Sequence, residues 1–248
     1  MTTTAVVPPS EPALSQGGRV INTFFAPSKT FSDLNRSASW WLPFLIIVIV
    51  GYGFIAVVDK KIGFDKVTEN QIRLNPKQAD KIDQLPADQR EKQMEIATRF
   101  TKYISYATPV IAFIFLAIMA LVLWGSYSFG AGAQVGFGKS MAVVTYANMV
   151  GIVKSLLAMV AILAGASGDS FTFQNPVATN LGFLIDPMQH KVLYALGSSI
   201  DVINFWIMAL VAIGFTYVTK VKRGTSFAIV FGWWALMTLI GVGIAAAF

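Results

Sequence analysis

Five polar residues inside long apolar stretches are the main candidates for chemistry in this 248-residue chain. They are Asn148, Lys154, Ser155, Asp201 and Asn204. An ammonium or carboxylate group in apolar surroundings is unfavourable unless it is paired or faces a polar cavity, and such groups often mark substrate, ion or proton pathways. These residues therefore predict either a binding site or a structural polar cluster.

The positions of Lys154 and Asp201 allow their side chains to meet if their two stretches are antiparallel helices. Lys154 lies about two residues beyond the middle of its stretch and Asp201 about four residues inside the edge of the next, which leaves a vertical gap of roughly 7 Å. A lysine side chain can cover most of that gap. Three interpretations stay open: a buried ion pair that fixes helix register, a site for a substrate, lipid headgroup or proton, and a lysine that extends alone towards the membrane surface.

Other kinds of chemistry are poorly supported by the composition. The chain has no cysteine and one histidine, His190, so thiol nucleophiles and a multi-histidine metal site within one chain are excluded. Residues 136–140 (GFGKS) are similar to a phosphate-binding loop, but Ala133 stands where that motif requires glycine. We expect no catalytic residue, no metal and no cofactor. A membrane-embedded enzyme is the third-ranked alternative.

The elements that must position the polar residues are long apolar segments. Hydrophobic residues make up 55% of the chain and charged residues 13%, about half of the ~25% typical of soluble domains. Crossing the ~30 Å hydrocarbon core takes about 20 helical residues. Five segments qualify: residues 40–58, 103–124 with a continuation to 130, 141–163, 197–218 and 226–247. The predicted fold is an all-α polytopic membrane helical bundle with five transmembrane helices.

The remaining residues divide into three parts. Residues 1–18 are polar and predict a disordered tail. Residues 19–39 mix apolar and basic side chains, which is typical of amphipathic helices in the membrane interface. Within the five-span membrane domain, 40–247, residues 59–102 carry ten basic and eight acidic residues and predict a charged extramembrane hairpin. A binding head for a partner is the alternative interpretation of this insertion.

Charge also bears on orientation and partners. The net charge of +6 favours contact with anionic lipid over nucleic acid in a chain this apolar. Basic residues at 19, 29 and 36 and in the link 220–223 favour a cytoplasmic N-terminus. The insertion 59–102 opposes this orientation because it holds the largest basic count. We favour a cytoplasmic N-terminus because acidic residues nearly balance that count.

Several segments together resemble the Yip1-domain membrane proteins, particularly their bacterial branch. These segments are residues 25–31 (FAPSKTF), 39–43 (SWWLP), 175–176 (NP), 179–182 (TNLG), 196–206 (LGSSIDVINFW) and 210–214 (LVAIG). The resemblance covers about residues 20–247. It implies five membrane helices with a cytoplasmic N-terminus in a bacterial inner membrane. Eukaryotic members are implicated in vesicle traffic and bind Rab GTPases through longer N-terminal regions, and this chain departs from them in its short N-terminal tail.

The sequence thus favours a non-enzymatic integral membrane protein that organises or remodels membrane or scaffolds partners. The alternative is a transporter of small molecules, ions or lipids, or a lipid-handling protein, that uses the polar residues of spans three and four. Membrane lipids are the expected partners, together with a protein partner or a second copy of the chain. Nucleic acid is not expected.

Overall fold

The computed structural model describes residues 13–247, and this part of the chain is built of α-helices with short connections, except for the long loop at residues 164–190. The N-terminal helices and the first span are α1 (Gln16–Phe25), α2 (Pro27–Asp33) and α3 (Trp41–Lys61). The charged insertion forms α4 (Phe64–Arg73), α5 (Pro76–Asp83) and α6 (Ala87–Tyr106). The remaining helices are α7 (Thr108–Gly125), α8 (Phe137–Met149), α9 (Ile152–Leu163), α10 (Lys191–Ser199), α11 (Val202–Thr219) and α12 (Arg223–Ala247).

Five helical segments are long and apolar enough to cross a bilayer. They are Trp41–Lys61, Thr108–Gly130, Phe137–Leu163, Val202–Thr219 and Arg223–Ala247. The second reaches Gly130 because α7 continues into a π-helical turn at Ser126–Gly130. The predicted all-α bundle with five transmembrane helices is therefore confirmed.

The N-terminal helix begins earlier than the sequence suggested. Residues 1–12 of the expected tail lie outside the described residues, but residues 16–18 form the first turn of α1. The hydroxyl oxygen of Ser15 accepts a hydrogen bond from the backbone N–H of Gly18 at 3.0 Å. This N-cap satisfies a donor that would otherwise lack a partner, and it starts the helix despite the two glycines that follow.

Helix α1 has inverted amphipathicity: its polar face is turned into the protein and its apolar face is turned outward. Its polar residues Arg19 and Thr23 are completely buried, whereas Ile21 and Phe25 are 61% and 85% exposed. Helix α2 continues from Pro27 and buries Phe31 in the main core. The segment expected in the interface is thus packed onto the bundle, and its position at a membrane surface stays a prediction.

Helix α8 forms the centre of the core. Every residue from 140 to 147 is buried, which is the pattern of a helix surrounded by protein. Helices α7 and α11 pack on its sides, and the rings of Tyr127 and Phe215 stack with centroids 4.1 Å apart. Gly214 allows Phe31 and Val143 to approach the backbone of α11 closely.

The charged insertion is a helical hairpin that also docks on the membrane domain. Helices α4 and α6 pack against each other, and α4 buries Phe64 and Val67. The side-chain amide of Asn70 donates hydrogen bonds to the carbonyl oxygens of Gly168 and Phe171, in the loop after α9, at 2.8 and 2.9 Å. The insertion, which follows span one, therefore contacts the loop after span three at one end of the bundle. Its place outside the bilayer stays a prediction.

The third span is interrupted, and the segment expected as the fourth span, residues 197–218, is divided before the span begins. Helix α8 gives way to α9 at Val150 and Gly151, where backbone N–H groups bond three residues back instead of four. The fourth segment is divided into α10 and α11 at Ile200 and Asp201. The second interruption occurs because the side chain of Asp201 caps the start of α11.

We expect Gly214→Ala to destabilise the bundle by about 1–3 kcal/mol, the usual cost of overpacking a filled core. An added Cβ would lie 2.5 Å from a methyl carbon of Val143 and 3.0 Å from the ring of Phe31. Gly232→Ala in α12 is the matched control because no heavy atom lies within 4 Å of its added Cβ. Thermal unfolding in mild detergent measures both. Equal midpoints for the two variants would show that the close approach at Gly214 is not needed.

Candidate functional site

The two charged residues singled out from the sequence form an ion pair. Lys154 Nζ lies 2.8 Å from Asp201 Oδ2. The Asp201 side chain is fully buried, and that of Lys154 is 22% exposed. Lys154 lies in the first turn of α9, and Asp201 directly precedes α11, so the pair joins the two helix interruptions. Lys154 therefore does not extend alone to a surface.

The carboxylate of Asp201 accepts four hydrogen bonds. Its Oδ1 accepts from the backbone N–H groups of Ile203 and Asn204 at 2.8 and 3.1 Å. Its Oδ2 accepts from Lys154 and from the hydroxyl of Thr179 at 2.7 Å. The positive end of the α11 dipole adds to the attraction. A buried negative charge is stable only with such compensation, and here it is complete.

A short piece of the loop after α9 closes the interruption between α10 and α11. The backbone N–H of Val202 donates to the carbonyl of Thr179 at 3.0 Å, and that of Leu181 donates to the carbonyl of Ile200 at 3.3 Å. Non-helical backbone within a membrane protein needs such partners, because lipid tails offer none. Thr179 was not identified as a site residue from the sequence, although it lies in the 179–182 segment that carries the family resemblance.

The other three candidate residues do not complete this cluster. Asn204 contributes its backbone N–H, but its side chain is exposed. Asn148 donates to the carbonyl of Val144 at 2.9 Å, and it lines a separate groove together with Ser155. The predicted cluster therefore divides into two parts: the Lys154–Asp201 ion pair between α9 and the start of α11, and the groove lining formed by Asn148 and Ser155.

A second buried charge lies in the N-terminal segment and was missed by the sequence analysis. Arg19 Nε lies 2.6 Å from Asp33 Oδ2, and its Nη1 donates to the carbonyl of Ser37 at 2.8 Å. Arg36 donates to both carboxylate oxygens of Asp33 at 3.0 and 3.2 Å. These bonds hold α1 against α2. Asp33 is the only acidic residue between positions 11 and 59, which was the available signal for its role.

The electrostatic setting of Asp33 follows from these contacts. Hydrogen bonds from Arg36 and then Arg19 hold the pKa of the Asp33 carboxyl below its usual value, although partial burial acts in the opposite direction. A carboxyl with a lowered folded-state pKa stabilises the fold at neutral pH, and this contribution is lost as the pH falls through that pKa. Within residues 13–247, no three His, Cys, Asp or Glu side chains come together as a metal site requires.

We expect Lys154→Met to destabilise the protein by about 3–5 kcal/mol, because it leaves the buried Asp201 carboxylate without its counter-ion. Asp201→Asn keeps an oxygen for the α11 cap and should cost less. The double variant should be less destabilised than the sum of the two single variants. Lys102→Met is the control, since its ion pair with Asp59 is exposed and 4.0 Å long and should contribute at most ~1 kcal/mol. Additive losses in thermal unfolding would contradict a coupled structural pair.

Comparison with known proteins gives one match. The Yip1 domain, as a family model, matches residues 21–244 of this chain. Neither curated proteins nor solved structures give a significant match. The matched region contains all five spans except the last residues of α12, and it includes Lys154, Asp201 and Asp33. The match confirms the resemblance at the level of the family: the chain belongs to the Yip1 domain family of integral membrane proteins.

Proposed function

We propose that this chain is a non-enzymatic membrane protein that organises or remodels the bilayer, with its N-terminus on the cytoplasmic side of a bacterial inner membrane. The supporting observation is the inverted amphipathicity of α1. In a water-exposed helix the polar residues face outward. In α1 the buried side chains are Arg19 and Thr23, and the exposed apolar ones are Ile21 and Phe25. This pattern suits a helix that packs on the protein with one face and contacts lipid with the other.

The exposed face of α1 supplies the driving force for insertion. Transfer of a large apolar side chain from water to an apolar environment contributes about 1.5–3 kcal/mol. Ile21 and Phe25 lie four residues apart, so they project from the same side of the helix. Their combined contribution favours a position of α1 among the acyl chains. A helix inserted into only one leaflet expands that leaflet relative to the other, and this difference in area bends a bilayer.

The attachment of α1 to the bundle makes this insertion permanent. The Tyr146 hydroxyl of α8 donates to Gln16 Oε1 at 3.2 Å. The Phe24 ring packs edge-on against Trp206 of α11 with centroids 6.0 Å apart. Together with the Arg19–Asp33 ion pair, these contacts keep the exposed face at a fixed depth. This differs from a peripheral amphipathic helix, which binds the membrane reversibly.

The proposed orientation is supported by contacts between the N-terminal segment and the end of the bundle where α8 begins and α11 ends. Lys139 Nζ donates to Asn35 Oδ1 at 3.1 Å, and the Asn35 amide donates to the carbonyl of Tyr217 at 3.1 Å. These bonds bring the end of α2 beside the start of α8 and the α11–α12 link. The basic residues of that link thus lie near those of the N-terminal segment, and such clustering favours the cytoplasm.

Partners of this protein are proposed to be membrane lipids together with a protein partner or a second copy of the chain. The alternative, a transporter whose cargo binds the charged pair of spans three and four, would need a carboxylate at Asp201 that is free to bind cargo. Asp201 has its two oxygens occupied by four donors. This arrangement favours the organising role and a structural role for the pair.

We expect the double variant Ile21→Gln with Phe25→Gln to lose the ability to change the shape of reconstituted vesicles while keeping its unfolding midpoint. The matched control is Ile96→Gln with Phe100→Gln, which removes an equally spaced pair that is 61% and 66% exposed on α6 of the insertion. Vesicle size and curvature by electron cryomicroscopy are the measurement. Equal remodelling by the α1 variant and the native protein would overturn the proposed role of α1.

A further inference from the structure

A groove of about 430 Å³ lies between α3, α9 and the junction of α6 with α7. Its volume falls within the range of ~300–1,000 Å³ that is usual for small-molecule sites. Its walls are mainly apolar, and they include Ile47, Val50, Phe54, Ile104, Ile111 and Ile152. Gln71 of α4 and Phe173 of the loop after α9 complete the lining. The groove therefore lies within the five-span bundle and reaches the charged insertion.

The dimensions of the groove suit part of one leaflet. Its lining runs along α3 from Ile47 to Ile55, which at 1.5 Å per residue is about 12 Å of helix. One leaflet contributes about half of the ~30 Å hydrocarbon core. Apolar cavities do not hold water well. In a bilayer the acyl chain of a lipid is the abundant apolar group that can fill such a space.

Polar side chains in the groove indicate what the rest of the occupant should contain. Within residues 13–247, the half-buried side chains of Ser155 and Gln71 form no hydrogen bond with another residue. Both line the groove. Hydroxyl and amide donors surrounded by apolar groups are unfavourable without an acceptor. An ester carbonyl at the head of an acyl chain supplies such an acceptor.

We propose that this groove is a binding site for an ester-linked glycerolipid. One acyl chain lies along Ile47, Val50 and Ile111, and the ester carbonyl accepts hydrogen bonds from Ser155 and Gln71. The site is separate from the exposed face of α1, so it goes beyond the proposed remodelling function. It also gives Ser155 a role that the Lys154–Asp201 pair does not.

Two glycines of α3 provide a matched pair of variants. Gly51 lines the groove, and no heavy atom lies within 4 Å of an added Cβ, so Gly51→Leu should place its side chain in the groove without a clash. Gly53 is equally free of neighbours and does not line the groove, so Gly53→Leu controls for the added bulk. Ser155→Ala removes the proposed donor without adding volume.

The experiment uses full-length protein in vesicles of phosphatidylethanolamine and phosphatidylglycerol that contain a glycerolipid with a photoactivatable acyl chain. We expect cross-links concentrated on the peptides that carry Ile47, Val50 and Ile111. Gly51→Leu should reduce them about tenfold, equivalent to ~1.4 kcal/mol of lost binding, and Gly53→Leu should leave them unchanged. Cross-links spread evenly over all five spans, or equally strong in Gly51→Leu, would overturn the site by showing only bulk lipid contact.

Recognition of the ester is tested by competition in the same vesicles. A diacyl lipid should displace the photoactivatable probe more effectively than its ether-linked analogue, which lacks the carbonyl groups. Ser155→Ala should reduce that difference, because only the Gln71 donor remains, while keeping the unfolding midpoint. Equal displacement by the two lipids in the native protein would overturn the proposed hydrogen bonds. Equal displacement by a free fatty acid would also overturn the assignment to a glycerolipid.

Discussion

Lipid tails provide no hydrogen-bond donors or acceptors, so a charge or a non-helical stretch of backbone among the spans needs partners within the protein. Asp201 meets this constraint with the ammonium of Lys154, the hydroxyl of Thr179 and two N–H groups of α11. The ion pair brings the first turn of α9 beside the start of α11. The loop after α9 also returns to this junction, where its backbone pairs with the free groups around Ile200.

The N-terminal segment also satisfies its buried charge within the protein. The guanidinium of Arg19 is completely buried, and its partners are the Asp33 carboxylate and the backbone carbonyls of α2 and the following loop. With its charge satisfied inside the protein, α1 can present Ile21 and Phe25 outward. An isolated amphipathic helix would have to keep its arginine in water. The ion pair therefore lets a short basic segment behave as part of the membrane domain.

Sequence reasoning could predict features that depend on composition along one helix, but not those that depend on folding across helices. The five spans follow from hydrophobic length alone, whereas the depths of Lys154 and Asp201 in antiparallel helices only allowed an ion pair and left two other interpretations open. The separation of Ser155 from this pair was not predicted, because adjacent helical residues point about 100° apart and the neighbours on each side were unknown. Thr179 and Asp33 were missed because their partners are distant in sequence or lie in another element.

Rigidity connects the N-terminal segment to the proposed action on the bilayer. A helix inserted into one leaflet is subject to the lateral pressure of the surrounding lipid. Helix α1 is joined to α2 by the Arg19–Asp33 pair, and α2 inserts Phe31 into the core against Val143 and Gly214. A force on the exposed face of α1 is therefore carried through α2 to α8 and α11. Stability of the core and the proposed action on the membrane thus depend on the same few contacts of α2.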